Sequence, residues 1–352
     1  MAYKWSWAFG PESAADLETI SGLWDTTNQS VANNAPSNTI RHTYVGDTSD
    51  RYSMGVRGGT QLKTTRQVLA GSGWFSAYFY YDGASDWSVR DFLEIYGPNS
   101  GNSIEIFSQT GRSLALRFAG GGTTFTPSSS LNLADKTWHH IGVKYDMRTD
   151  NHWGAEIFIN GVSRISGSRT ENALDAESSA DVWLGGVNDS SVLFLHWSDL
   201  VAYDNLSDSS PYGQYVSRIQ PYADISDNGS WTPSSTPFPP PGTQASNLDG
   251  AIAVTPVVEE ASPTTGEFIQ VQSQPLSVNI GLSSFNSYGF SAHLFASGSS
   301  TINLIAKTSA DPPSVFAEGD PVIDGENAYA YASSASIVLV DSDTINFRAE
   351  VG

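Results

Sequence analysis

The hydrophobic pattern of this chain has a period of two over most of its length, and the clearest stretch is Thr137–Val162. Ile141, Val143 and Tyr145 alternate with His140, Gly142 and Lys144, and Ile157 and Ile159 alternate with Glu156 and Phe158. Alternation sends successive side chains to opposite faces, so it predicts two half-buried strands with a loop between them. Asn160-Gly161 follows the second strand, and this dipeptide readily takes positive φ at both central positions of a tight hairpin turn. The predicted unit is strand, loop, strand, tight turn.

From Thr39 onward, short β-branched and aromatic runs sit between clusters of Gly, Asn, Asp and Ser. They predict strands at Arg51–Val56, Trp74–Tyr81, Phe92–Tyr96, Ser103–Phe107 and Ser113–Phe118. Trp74–Tyr81 is aromatic at both parities. It reads as a strand buried on both faces or, alternatively, as a sugar-stacking platform. Leu193–Trp197 reads as a core strand leading to Asp199–Asp204. In Glu12–Trp24, Ala14, Leu17, Ile20 and Leu23 recur at threes behind Ser13 and Asp16, which predicts a short helix or a loop packed on the strands.

After Asp204 the texture changes. Thr232–Ser246 holds five prolines, which favour extended geometry and make a semi-rigid spacer. Ala251–Gly352 is strand-like again and rich in Ala and Ser. The expected division is therefore 1–205, a connector with its Pro-rich linker over 206–246, and a small β domain over 247–352.

Two resemblances add to this reading. Trp138-His139 opens a strand that ends in Tyr145-Asp146, and the next strand ends in Asn160-Gly161. With Val182–Gly186 and Asp199–Asp204 downstream, residues 1–205 resemble the laminin G/concanavalin A-like jelly roll. The resemblance implies an all-β chain, with an N-terminal β-sandwich followed by a small C-terminal β domain. Such sandwiches host lectins, glucanases and adhesion modules, so the fold leaves function open.

The join from 196 to 260 resembles a family of tailed-phage virion proteins. The matching residues are Asp199–Asp204, Tyr215–Ile219 with Pro221, Ala223-Asp224, and Trp231–Ser234, ahead of a small β domain. That resemblance implies a structural protein on the phage particle surface, as a capsid decoration or head-fibre protein or a tail component. Its partners would be other virion proteins. Virion proteins sit on symmetry axes, so a homotrimer is expected.

Charge removes other classes. The net charge is −20, from 17 basic and 37 acidic residues. Beyond residue 210 the bases are Arg218, Lys307 and Arg348 alone. Neither a nucleic-acid backbone nor an anionic membrane is an expected partner for such a surface. The chain has no cysteine, which excludes disulfides and thiolate metal sites. No run approaches 18 apolar residues, and Met1–Gly10 lacks the basic start and apolar centre of a signal peptide, so no export by its own signal is expected.

Candidate chemistry is sparse. Glucanases of this fold carry Glu-x-Asp-x-(x)-Glu on one strand, which sets two carboxylates about 5 Å apart. Glu94 and Glu105 instead stand alone on their strands and read as solvent-face residues. His139 and His140 are neighbours on a strand, so their rings point to opposite faces and cannot share one ion. No Gly-x-Ser-x-Gly elbow anchors a hydrolase triad, and Gly120–Gly122 is not followed by the lysine and helix of a phosphate cradle. The chain is not expected to be an enzyme, and no cofactor is expected. Calcium is the ion its acidic turns would suit, at Asp47 with Asp50 and at Asp224 with Asp227 and Asn228; turn-capping by the same residues is the alternative. For sugar binding, Trp87, Trp153 and Trp183 lie near turns and are candidate stacking residues, with Trp153 in the Asp150–Gly154 loop between the two predicted strands. That alternative function, a carbohydrate-binding adhesin or receptor-binding tail protein, would make a host cell-surface glycan the partner.

Overall fold

The computed structural model describes residues 3–7, 24–25, 54–56, 61–64, 69–81, 92–99, 101–109, 111–118, 123–129, 131–171, 174–185, 195–207 and 210–212 of the N-terminal region. Beyond these it describes residues 221–228, 232–233, 258–259, 264–273, 284–294, 300–308, 315–319, 322–323, 328–340 and 345–352. The short helix or packed loop expected over Glu12–Trp24 falls outside the described residues, apart from Trp24 itself. All regular structure described is β.

Two antiparallel sheets form the N-terminal half. The first runs β1 (Tyr3–Trp7), β15 (Leu195–Tyr203), β6 (Ser72–Tyr81), β11 (Trp138–Thr149), β12 (His152–Ile159) and β13 (Val162–Thr170), with β3 (Met54–Val56) also beside β15. The second runs β10 (Thr124–Phe125), β9 (Ser113–Phe118), β8 (Asn102–Gln109), β7 (Leu93–Gly97), β14 (Ser179–Gly185), β4 (Gln61–Thr64) and β2 (Trp24–Asp25), with β5 (Leu69–Ala70) beside β14.

The expected hairpin forms the middle of the first sheet. β11 lies between β6 and β12, and Ile141, Val143, Tyr145 and Met147 face inward and are buried. Asn160 and Gly161 both take positive φ, +49° and +78°, as a primed turn requires. Phe75, Phe79 and Tyr81 of β6 face the same core. The second sheet answers with Leu93, Ile95, Ile104, Ile106, Leu116, Phe118, Val182 and Leu184. Aromatic rings bridge the gap, with Phe92 at 4.8 Å from Phe79 and 5.0 Å from Trp197.

Three buried donors are satisfied within this frame, as a dry interior demands. The Trp197 indole donates to Gly185 O at 2.9 Å, which ties the first sheet to the second. The Tyr145 hydroxyl donates to Ala70 O at 2.7 Å, and the Trp153 indole to Asp175 O at 3.1 Å.

The outward face of the first sheet is also buried. Trp74, Tyr78, His140, Ser198, Val201 and Tyr203 are each under 5 % exposed. This is the two-sided burial that the aromatic run predicted for Trp74–Tyr81. Part of the cover comes from the chain just after β15. Pro211 is buried against the bare backbone of Gly142, and the Tyr212 ring lies over Gly161 and edge-on to His140, with centroids 5.6 Å apart.

A second β region follows. β16 (Pro221–Asn228) pairs with β19 (Phe268–Ser273), then come β25 (Ile345–Val351), β21 (Ser300–Thr308) and β22 (Val315–Gly319), with β23 (Val322–Ile323) also on β21. Two-stranded pairs form between β17 (Thr232–Pro233) and β18 (Val258–Glu259), and between β20 (Ser284–Leu294) and β24 (Ala328–Val340). The stretch 206–246, expected as a connector, thus contains β16, whose hydrogen-bonded neighbour is a strand of the C-terminal sheet.

Candidate functional site

The outward face of the second sheet carries one continuous row of polar and aromatic residues. Register sets it: Lys63 stands opposite Trp183, Trp183 opposite Glu94, Glu94 opposite Glu105, Glu105 opposite Arg117, and Arg117 opposite Thr124. In the next row, Asp181 is opposite Tyr96 and Tyr96 opposite Ser103. Each of these residues alternates with a core residue of its strand, so strand pairing alone assembles the face.

Trp183 is half-buried here. Tyr96 stacks on it, with centroids 4.5 Å apart and planes 17° from parallel. The Lys63 ammonium lies 3.7 Å from the Trp183 ring centroid, a cation–π contact worth about 0.5–1 kcal/mol at such a site. Much of the flat indole surface is therefore covered by protein. What remains outward is the rim of a Tyr96–Trp183 stack with polar groups on each side.

Glu94 and Glu105 stand alone on their own strands, but pairing of β7 with β8 makes them direct cross-strand partners. Sequence alone cannot supply that register. Both are engaged: Gln61 Nε2 donates to Glu94 Oε1 at 2.6 Å, Ser103 Oγ donates to Glu105 Oε1 at 3.3 Å, and Arg117 forms an ion pair with Glu105 Oε2. Arg117 also lies over Phe107, 4.9 Å from its centroid. A nucleophile and general acid need free oxygens facing a reacting bond, and this pair spends its oxygens on neighbours.

Asp181 is the most perturbed acid of the face. Burial, followed by the charge of Glu177, pushes its carboxyl up to about 6. Its Oδ1 is buried without a hydrogen-bond partner. Glu177, itself 1 % exposed, accepts the Asn99 backbone N–H at 3.1 and 3.2 Å.

The other expected site residues are dispersed. Trp153 is a correction: it lies in β12 and not in a loop, faces the core, and is 0 % exposed with its indole N–H bonded inside. The turn is shorter than expected, closing at Asn151 with φ +61°, so the tryptophan falls at an inward position of the strand. It cannot stack on a ligand at the surface. Trp87, Asp47 and Asp50 lie outside the described residues. Asp224 and Asp227 lie on β16, a strand where turns had been expected, at backbone positions opposite Val271 and Ile269. His139 and His140 do point to opposite faces: His139 packs on the inward Phe79 and His140 on the outward Tyr78.

A laminin G-type family model, described as the concanavalin A-like lectin/glucanases superfamily, matches residues 56–195. No curated protein matches the chain in sequence. Among solved structures, a tetrameric galectin from the ball sponge Cinachyrella sp. is similar at 16 % identity, covering 41 % of this chain and 99 % of the galectin, with a TM-score of 0.29. An endo-β-1,4-glucuronan lyase from Trichoderma reesei is similar at 13 % identity, over 60 % of this chain and 99 % of the lyase, with a TM-score of 0.37. Domain 4 of an extracellular arabinanase from Geobacillus stearothermophilus, solved with arabinotriose, is similar at 15 % identity, over 59 % and 93 %, with a TM-score of 0.33. The two-sheet architecture and the family match agree: residues 56–195 form a concanavalin A-like jelly roll, a fold shared by enzymes and by proteins without catalysis.

Proposed function

We propose that the chain is a non-enzymatic structural protein on the surface of a tailed-phage particle, as a capsid decoration, a head fibre or a tail component. The observation that carries this reading is the order of parts across the join. β15 closes the sandwich at Tyr203, and a strand starting at Pro221 opens the second β region. Asp199–Asp204, Ala223-Asp224 and Trp231–Ser234 fall at that join, as in the virion proteins it resembles. The engaged carboxylates of the outward row support the non-catalytic part. Mass spectrometry of purified particles should return peptides of this chain at structural abundance; particles free of it would end the proposal. Immunogold labelling then separates head from tail.

A second reading, carbohydrate recognition, is favoured by the Tyr96–Trp183 stack. Aromatic rims beside polar groups suit sugars, whose faces are apolar and whose hydroxyls need partners. On a glycan array the full chain should bind, and Tyr96→Ala should abolish the signal. A blank array with folded protein would remove this reading and leave the structural one standing.

A further inference from the structure

His140 is 1 % exposed on the outward face of the first sheet, in a place where sandwich strands usually meet water. Its ring is held edge-on between Tyr78 of β6, 4.8 Å away, and Tyr212, 5.6 Å away. Its backbone N–H donates to Asn160 Oδ1 at 2.8 Å, while its Nδ1 has no hydrogen-bond partner. Tyr212 belongs to a short strap, Ser210–Tyr212, in which the Tyr212 N–H reaches Ser210 Oγ at 3.4 Å. Pro211 is the strap's buried foot on Gly142. The strap lies within the connector to the second β region.

We propose that this strap is an acid-released latch: protonation of His140 beneath it detaches Pro211 and Tyr212 from the first sheet and frees the connector.

The groups around the ring explain the direction. From β6 it meets the Tyr78 phenol, and Ser198 of β15 lies beyond as Tyr78's cross-strand partner. From the turn it meets Asn160, and from the strap Tyr212. On its own strand Trp138 and Lys144 share its face, and the Lys144 ammonium lies 5.7 Å from the Trp74 ring. Desolvation alone moves its pKa, down to about 3, with no carboxylate charge contributing. An imidazolium formed there would sit unsolvated and uncompensated. Lifting the strap opens the ring to water and restores an ordinary pKa near 6.5. Acid therefore favours the open strap, by about 30-fold at pH 5 for one such histidine. His139 faces inward with Nε2 3.0 Å from Ala134 O, and His196 packs edge-on to Tyr80, so neither underlies the strap.

Hydrogen exchange on the full-length protein tests this, with rates corrected for intrinsic pH dependence. Protection of peptides spanning 204–212 should fall about 30-fold between pH 7.5 and 5, while peptides of β6 and β11 stay protected. In His140→Phe, which keeps a ring but cannot titrate, that fall should vanish; His196→Phe should leave it intact. Tyr212→Ala, an exposed truncation that spares the fold, should lower strap protection at pH 7.5. Constant wild-type protection, an equal fall in His140→Phe, joint loss of β6 and β11, or unaltered protection in Tyr212→Ala would each overturn the latch.

Discussion

His140 and His196 are neutral in this fold because burial removes the water that would solvate an imidazolium, holding them down to about 3 and about 4. Their unfolded-state value lies near 6.5, so the unfolded chain takes up protons first as pH falls. The stability that depends on neutral imidazole is complete above pH 6.5 and is lost progressively below it. For His196 alone the loss between pH 7 and 4 is about 3 kcal/mol. Urea titrations of His196→Phe across that range should show a pH dependence flatter by about that amount. Asp181 works in the opposite sense. Its raised carboxyl binds a proton in the folded state up to about pH 6, so its destabilising charge appears as pH rises from 4 to 6. With the side chain half-exposed, solvent screening discounts the effect. Asp181→Asn should stabilise the protein by about 1 kcal/mol at pH 7.5 and leave it unchanged at pH 4, read as melting temperature. The tryptophans separate by burial. Trp153→Ala removes an inter-sheet ring and should cost about 3–5 kcal/mol. Trp138→Ala should cost a similar amount, because Trp138 is 8 % exposed and packs on Tyr80 on the outward face. Half-buried Trp183→Ala should cost about 1 kcal/mol.

The β11–β12–β13 unit shows what a strand pattern can and cannot convey. Period-two alternation at Ile141, Val143 and Tyr145 and the Asn160-Gly161 turn were legible, because each is a local property of backbone and side chain. The Glu94–Glu105 and Tyr96–Trp183 partnerships were not, because they depend on register between separate strands. The expected loop position of Trp153 fails for a related reason: one residue of turn length decides which face a strand residue occupies. Tyr96 was findable in part, since Ile95 beside it had to face the core. Glycine positions in this unit make separable predictions. A Cβ on Gly161 would meet the Tyr212 ring at 2.8 Å at a φ of +78°. Gly161→Ala should therefore cost about 1–2 kcal/mol and loosen the strap. At Gly142 a Cβ would meet Trp74 and Pro211 at 3.5 and 3.6 Å, which is ordinary contact. Gly142→Ala should leave the melting temperature nearly unchanged, and a large loss there would show that Trp74 and Pro211 leave no room for a methyl group.

At the scale of the molecule, strand pairing decides where the two halves can be parted. Pro211 and Tyr212 belong with the sandwich through Gly142, His140 and Gly161, while Pro221–Asn228 pairs with Phe268–Ser273 of the C-terminal sheet. A cut in the proline-rich stretch would strip β16 from β19 and expose a sheet edge, which invites aggregation. A cut after Tyr212 respects both sets of contacts. Residues 1–212 and 213–352, expressed separately, should each show a cooperative unfolding transition. On the surface-protein reading, the C-terminal piece should carry the docking function, because Ala- and Ser-rich strands let a neighbour approach closely and open sheet edges offer backbone pairing. The sandwich, with its polar-aromatic row, would then face outward. Added to particles lacking the protein, residues 213–352 should bind and residues 1–212 should not. Decoration by residues 1–212 alone would reverse the assignment and make the row of Lys63, Trp183, Glu94, Glu105 and Arg117 the docking face.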